Sequence, residues 1–69
     1  MDTITLPNGQ KRPLSPVKHE LAQKVMQCAK NAYSHAEELS GEDWTKACDW
    51  WVKATRLENA AVLVDEALS

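Results

Sequence analysis

The sequence predicts an all-α fold: an antiparallel two-helix hairpin behind a short irregular N-terminal leader, assembling into a helical-bundle oligomer. Three observations carry this expectation. Glycine and proline are confined to positions 7, 9, 13, 16 and 41, leaving two uninterrupted stretches of about 25 residues. Each stretch repeats apolar residues at alternating spacings of three and four, the signature of a packed helical seam. The chain has only 69 residues, 43% of them hydrophobic, which allows one small domain and no layered sheet architecture.

In chain order, residues 1–14 form the leader and residues 15–69 the hairpin, with helices over about 16–40 and 42–68. Pro7-Asn8-Gly9 is a turn signal, and Pro13 excludes regular helix around it. Ser15-Pro16 reads as a helix start, with Ser15 as N-cap and Pro16 at the first helical position. Gly41 suits the left-handed position that ends a helix. Ser40 with Asp43 three residues on resembles a capping box for the second helix. Each helix would be about 37 Å long at 1.5 Å per residue.

Leu21, Val25, Cys28, Ala32, His35 and Leu39 form the expected seam of the first helix. Ala47, Trp50, Ala54, Leu57, Ala61, Val64 and Leu68 form that of the second. If the chain reverses at Gly41, facing positions sum to about 82, pairing Val25 with Leu57, Cys28 with Ala54 and Ala32 with Trp50, so that large residues meet small ones. Cys28 and Cys48 are then about 9 Å apart along the axis, too far for a bridge; both read as small hydrophobes. A second stripe, Ala22, Met26, Ala29, Tyr33 and Ala36, lies beside the first seam, and Trp44, Trp51 and Val62 lie about 100° from the second. A domain below about 70–80 residues rarely gains more than about 3–5 kcal/mol from its core, so this surplus predicts self-association. Met26, Tyr33, Trp44, Trp51 and Val62 are the expected interface.

Charge narrows the function classes. The net charge of −2 argues against binding duplex nucleic acid. The second helix carries more acids than bases, which excludes a DNA-reading helix and a membrane-surface helix. The longest apolar run, Ala60 to Val64, is too short to span a membrane. No secretory signal follows Met1-Asp2 and the cysteine usage fits a reducing compartment, so a cytoplasmic protein is expected.

The distribution of charge is uneven. Residues 1–18 carry Lys11, Arg12 and Lys18 against Asp2, while residues 19–69 carry five bases and nine acids. Lys11, Arg12, Ser15 and Lys18 therefore surround the expected helix start, where free N–H groups and the helix dipole favour an anion such as a phosphate. His35 and Cys48 fall within about a turn of each other across the hairpin. No third orienting group or oxyanion loop accompanies them, so His35 reads as a core histidine and the chain as non-enzymatic. No cofactor and no metal site is expected, because Cys28, His35 and Cys48 are spread too far along the axis.

The stretch Ala54-Thr55-Arg56-Leu57-Glu58-Asn59-Ala60-Ala61, with the basic residues before Leu14-Ser15, resembles the helical-hairpin domain of small phage sponge proteins, the anti-CBASS and anti-Thoeris families. The resemblance covers Leu14 to Leu68. It implies a non-enzymatic homo-oligomer in the host cytoplasm that sequesters a cyclic oligonucleotide immune signal between subunits. No pocket residue carries over, since no diagnostic motif matches and Tyr33 lies in mid-helix rather than in the leader. The alternative expectation is a small inhibitor or adaptor that docks onto a host protein through its tryptophan-rich second helix.

Overall fold

The computed structural model describes residues 3–6 and 9–69. Strand β1 (Thr3–Thr5) and strand β2 (Lys11–Pro13) precede helix α1 (Glu20–Leu39) and helix α2 (Trp44–Leu68). The helices form a hairpin, and the strands lie across it as a strap.

The leader is therefore not irregular. β1 and β2 pair antiparallel, with Thr3 opposite Pro13, Ile4 opposite Arg12 and Thr5 opposite Lys11. Alternation sends Ile4 into the core, 6% exposed, while Thr3 stays outside. The expected turn falls between the strands. Pro7 and Asn8 lie outside the described residues, but Gly9 has φ 89°, a left-handed conformation that glycine tolerates. Leu6 closes the turn, donating to the Gln10 carbonyl at 2.7 Å and accepting from the Gly9 N–H at 2.9 Å.

α1 begins at Glu20, not at Pro16. Ser15 cannot cap a helix there, because its hydroxyl and its N–H both donate to Glu58 of α2. The N-cap is His19, whose own side chain makes no capping bond. Asp65 of α2 does that work from across the hairpin. Its Oδ1 accepts from the N–H groups of Lys18 and His19 at 2.8 and 2.9 Å, satisfying donors that a helix start leaves open.

Gly41 does not adopt a left-handed conformation; among the described residues only Gly9 has positive φ. Ser40 stays helical at φ −60°, ψ −26° and closes α1, and Asp43 is the N-cap of α2, accepting from the Lys46 N–H at 3.2 Å. Ser40 and Asp43 thus serve different helices rather than one capping box.

The buried faces agree with the expectation for the alanines of α2 and shift it for α1. Of the other expected seam residues of α2, Trp50, Leu57 and Val64 are half-buried and Leu68, at the helix end, is 50% exposed. Ala47, Ala54 and Ala61 repeat every seven residues and have no exposure. On α1 the core stripe is Ala22, Met26, Ala29, Tyr33 and Ala36, joined by Ala32. The expected seam lies one residue away and is largely in solvent: Leu21 is 57% exposed, and Cys28 and His35 are exposed. Alanines at the contact let the helix backbones approach closely, and the strap covers the stripe from above with Ile4 and Leu14. The surplus apolar surface on this side is thus covered from within the chain. Helix pairing stays near the expected register, since the ring contacts Tyr33–Trp51 and His35–Trp50 join positions summing to 84 and 85.

Candidate functional site

Two places were expected to carry function: a basic cluster at the start of α1 and an aromatic stripe on α2. The structure uses half of the first internally and splits the second.

Arg12 points from β2 between the helices. It donates to Glu58 through two nitrogens, at 2.6 and 3.1 Å, a two-pronged ion pair. The same guanidinium donates to Tyr33 Oη at 3.0 Å and sits 5.7 Å from the centre of its ring. Tyr33 Oη in turn donates to Glu58 at 2.6 Å. Ser15 completes the ring of donors around Glu58. Glu58 is 3% exposed, so an unpaired carboxylate here would be very costly.

This packing fixes the charge states. Arg12's hydrogen bonds, helped by Tyr33 and Ser15, outweigh burial and hold the Glu58 carboxyl down at about 2. The Arg12 guanidinium is raised by its bond to Glu58. Burial, reinforced by Glu58, pushes the Tyr33 phenol up. Asp65 is held at about 2 by the His19 N–H, then the His19 ring and the Lys18 N–H. None of these four groups moves into the neutral range, where general acid–base work needs it. They form a clasp.

Of the expected anion ligands, Arg12 and Ser15 are therefore committed to Glu58. Lys11 and Lys18 remain exposed. One lies on β2 and the other just before the start of α1. Glu58 is one of several acids on α2, and nothing in helical spacing marks it as buried. The signal lay in the pairing of a single arginine in the leader with an acid 46 residues away, which one sequence does not reveal.

Of the expected interface residues, Met26 and Tyr33 are 6% and 2% exposed, inside the chain's own core. Val62 and Trp51 are half-buried against that core, Trp51 with its ring centre 4.8 Å from that of Tyr33. Only Trp44 stands out, at 56% exposed. Val52 and Leu63, at 47% and 64%, join it on the outer half of α2. At 100° per residue Val52 and Leu63 point away from the Ala47–Ala54–Ala61 stripe, and Trp44 lies about 80° from its centre. Cys48 lies between Trp44 and Val52 and lines a shallow groove with Thr45, Lys46, Asp49 and Val52.

His35 and Cys48 are not brought together. His35 lies over Trp50, ring centres 4.6 Å apart and nearly perpendicular, on the side facing away from the strap. It is solvent-accessible rather than a core histidine. With Cys28, Asn31, Ala32, Trp50 and Leu57 it rims a pit of about 400 Å³. Both cysteines are free thiols, and among the described residues no cluster of three metal-ligating side chains occurs. No helix among them is long and apolar enough to cross a membrane.

The fold defines a class, a helical hairpin closed by an N-terminal β-strap. No protein-family model matches the chain, and neither a curated protein nor a solved structure matches it. The resemblance to the sponge hairpins rests on its own residues alone.

Proposed function

We propose that the chain is a non-enzymatic protein-binding regulator, working as a homo-oligomer and docking onto a partner protein through the outer ridge of α2. One observation carries this reading: Trp44, Val52 and Leu63 stay exposed along α2 while Trp50, Trp51, Leu57, Val62 and Val64 are half-buried, Leu68 at the helix end being the other large apolar side chain of α2 in solvent. Exposed tryptophan and leucine on one side of a helix are the anchors that a partner's apolar groove receives. Sequestration of a cyclic oligonucleotide has less support, because Arg12 and Ser15 already answer Glu58.

The test compares the chain with a Trp44→Ala, Val52→Ser, Leu63→Ser variant. All three side chains are exposed, so helical circular dichroism should be unchanged. A host protein held by the wild type and lost by the variant supports the reading. Native mass spectrometry with cyclic di- and trinucleotides addresses the other: discrete ligand masses on the wild type would replace protein docking with sequestration.

A further inference from the structure

The two helices form a layer with two broad faces, and the strap covers one. The other carries the stripe Leu21, Val25, Cys28, Ala32 and His35 on α1, beside Trp50, Leu57 and Val64 on α2. Its exposed members are Leu21 at 57%, Cys28 and His35; Val25, Trp50, Leu57 and Val64 are half-buried.

We infer that this face is a self-association surface, covered by the same face of a second copy to give a four-helix bundle. The inference rests on the oligomeric part of the proposed function and names its interface, which shares no residue with the docking ridge. Two arguments select a second copy. The first is area. Helices of 20 and 25 residues lying side by side, each about 10 Å across, offer a face of roughly 700 Å². A stable interface takes about 800 Å² from each partner.

The second argument is self-complementarity. The pit between Cys28, His35, Trp50 and Leu57 has Ala32 as its small floor. Leu21 projects from the same stripe 11 residues earlier, about 16 Å along the axis. A two-fold axis crossing α1 midway between them seats each copy's Leu21 in the other's pit, as an isologous contact requires. Cys28 then lies close to that axis. The strap face offers no such match, because its apolar stripe is already covered by Ile4 and Leu14.

Native mass spectrometry and light scattering at micromolar concentration test this, with maleimide labelling of the two thiols. The expected mass is twice 7.7 kDa. A Leu21→Glu, His35→Glu variant should be monomeric with unchanged helical circular dichroism. Cys28 should label several-fold more slowly in concentrated than in dilute wild-type protein, while Cys48, on the outer side of α2, labels at one rate. A wild-type monomer at every concentration overturns the inference and the oligomeric reading with it. A dimer in which Cys28 labels as fast as in dilute protein, or one that survives the double substitution, overturns this face alone. Should the variant fail to fold, wild-type labelling decides.

Discussion

The strap face and the open face of the helical layer share a backbone but are held differently. On the strap face, apolar contact is combined with directed polar bonds. Ile4 and Leu14 cover the alanines of α1 and α2, and two carboxylates, Glu58 and Asp65, gather donors from the strap and the strap-to-helix link. On the open face, the close polar pairs among the described residues are local: Lys24 with Glu20, Lys53 with Asp49 and the His35 ring with the Glu38 carboxylate, all between residues on one helix and at 3.8 to 3.9 Å. Such exposed pairs contribute little. Directed bonds fix where the chain's own segment must sit, while a face without them can accept a separate molecule.

The largest effect should come from removing the clasp. Glu58→Ala deletes the acceptor shared by Arg12, Tyr33 and Ser15. We expect a loss of about 2–3 kcal/mol, below the range for a fully buried pair because Arg12 is part-exposed. Since a domain this small has only about 3–5 kcal/mol to lose, the urea midpoint should fall by about half or more. Arg12→Glu should unfold the strap for the same reason, whereas Lys11→Glu should not.

Overpacking separates the two faces. Ala54→Leu places three extra carbons where there is no exposure and should cost about 1–3 kcal/mol. Cys28→Leu, on the open side and exposed in the single chain, should stay within about 0.5 kcal/mol in protein dilute enough to be monomeric. Equal costs in thermal unfolding would erase the distinction between the faces.

Acid gives a graded version of the first test. Glu58 and Asp65 titrate at about 2 in the folded chain, below their ordinary values of 4.5 and 3.8. The unfolded chain therefore takes up these protons first. Their stabilisation is complete above about pH 4.5 and is lost as the pH falls toward 2. Glu58→Gln should flatten the upper part of that decline. A wild-type stability unchanged from pH 5 to about pH 2.5 would contradict the clasp. The smallest effect belongs to Lys11→Glu, within about 0.5 kcal/mol because the side chain is exposed.

The sequence made the hairpin legible because helix continuity is a local property. The heptad Ala47, Ala54, Ala61 was readable for the same reason. On α1 the reading slipped by one residue because the same spacing of three and four fits both stripes, the one from Leu21 and the one from Ala22, and does not say which faces the partner. Leu21 and Leu39 are larger than Ala22 and Ala36, yet close helix packing prefers the small side chains. The strap was half-legible: the turn around Gly9 was evident, but strands of three residues with Pro13 at the end of one carry too little pattern to show pairing. The clasp was illegible, since a buried Glu58 and a solvated one look alike until Arg12 is placed beside it. The same blindness put Arg12 and Ser15 in an anion site that the chain's own carboxylate occupies.

The separation between Arg12 and Glu58 also sets an order of events during synthesis. The strap is made before its acceptor, which follows 46 residues later. From the end of α1 at Leu39 to Glu58 takes about 1–4 s at about 5–20 residues per second, and in that time Ile4, Leu14 and the apolar side of α1 have been made with no complete α2 to receive them. The nascent chain is then a sticky amphipathic fragment, and closure waits for the second helix. Slow codons between α1 and Glu58 would lengthen that interval and raise the load on chaperones, without changing one atom of the finished protein.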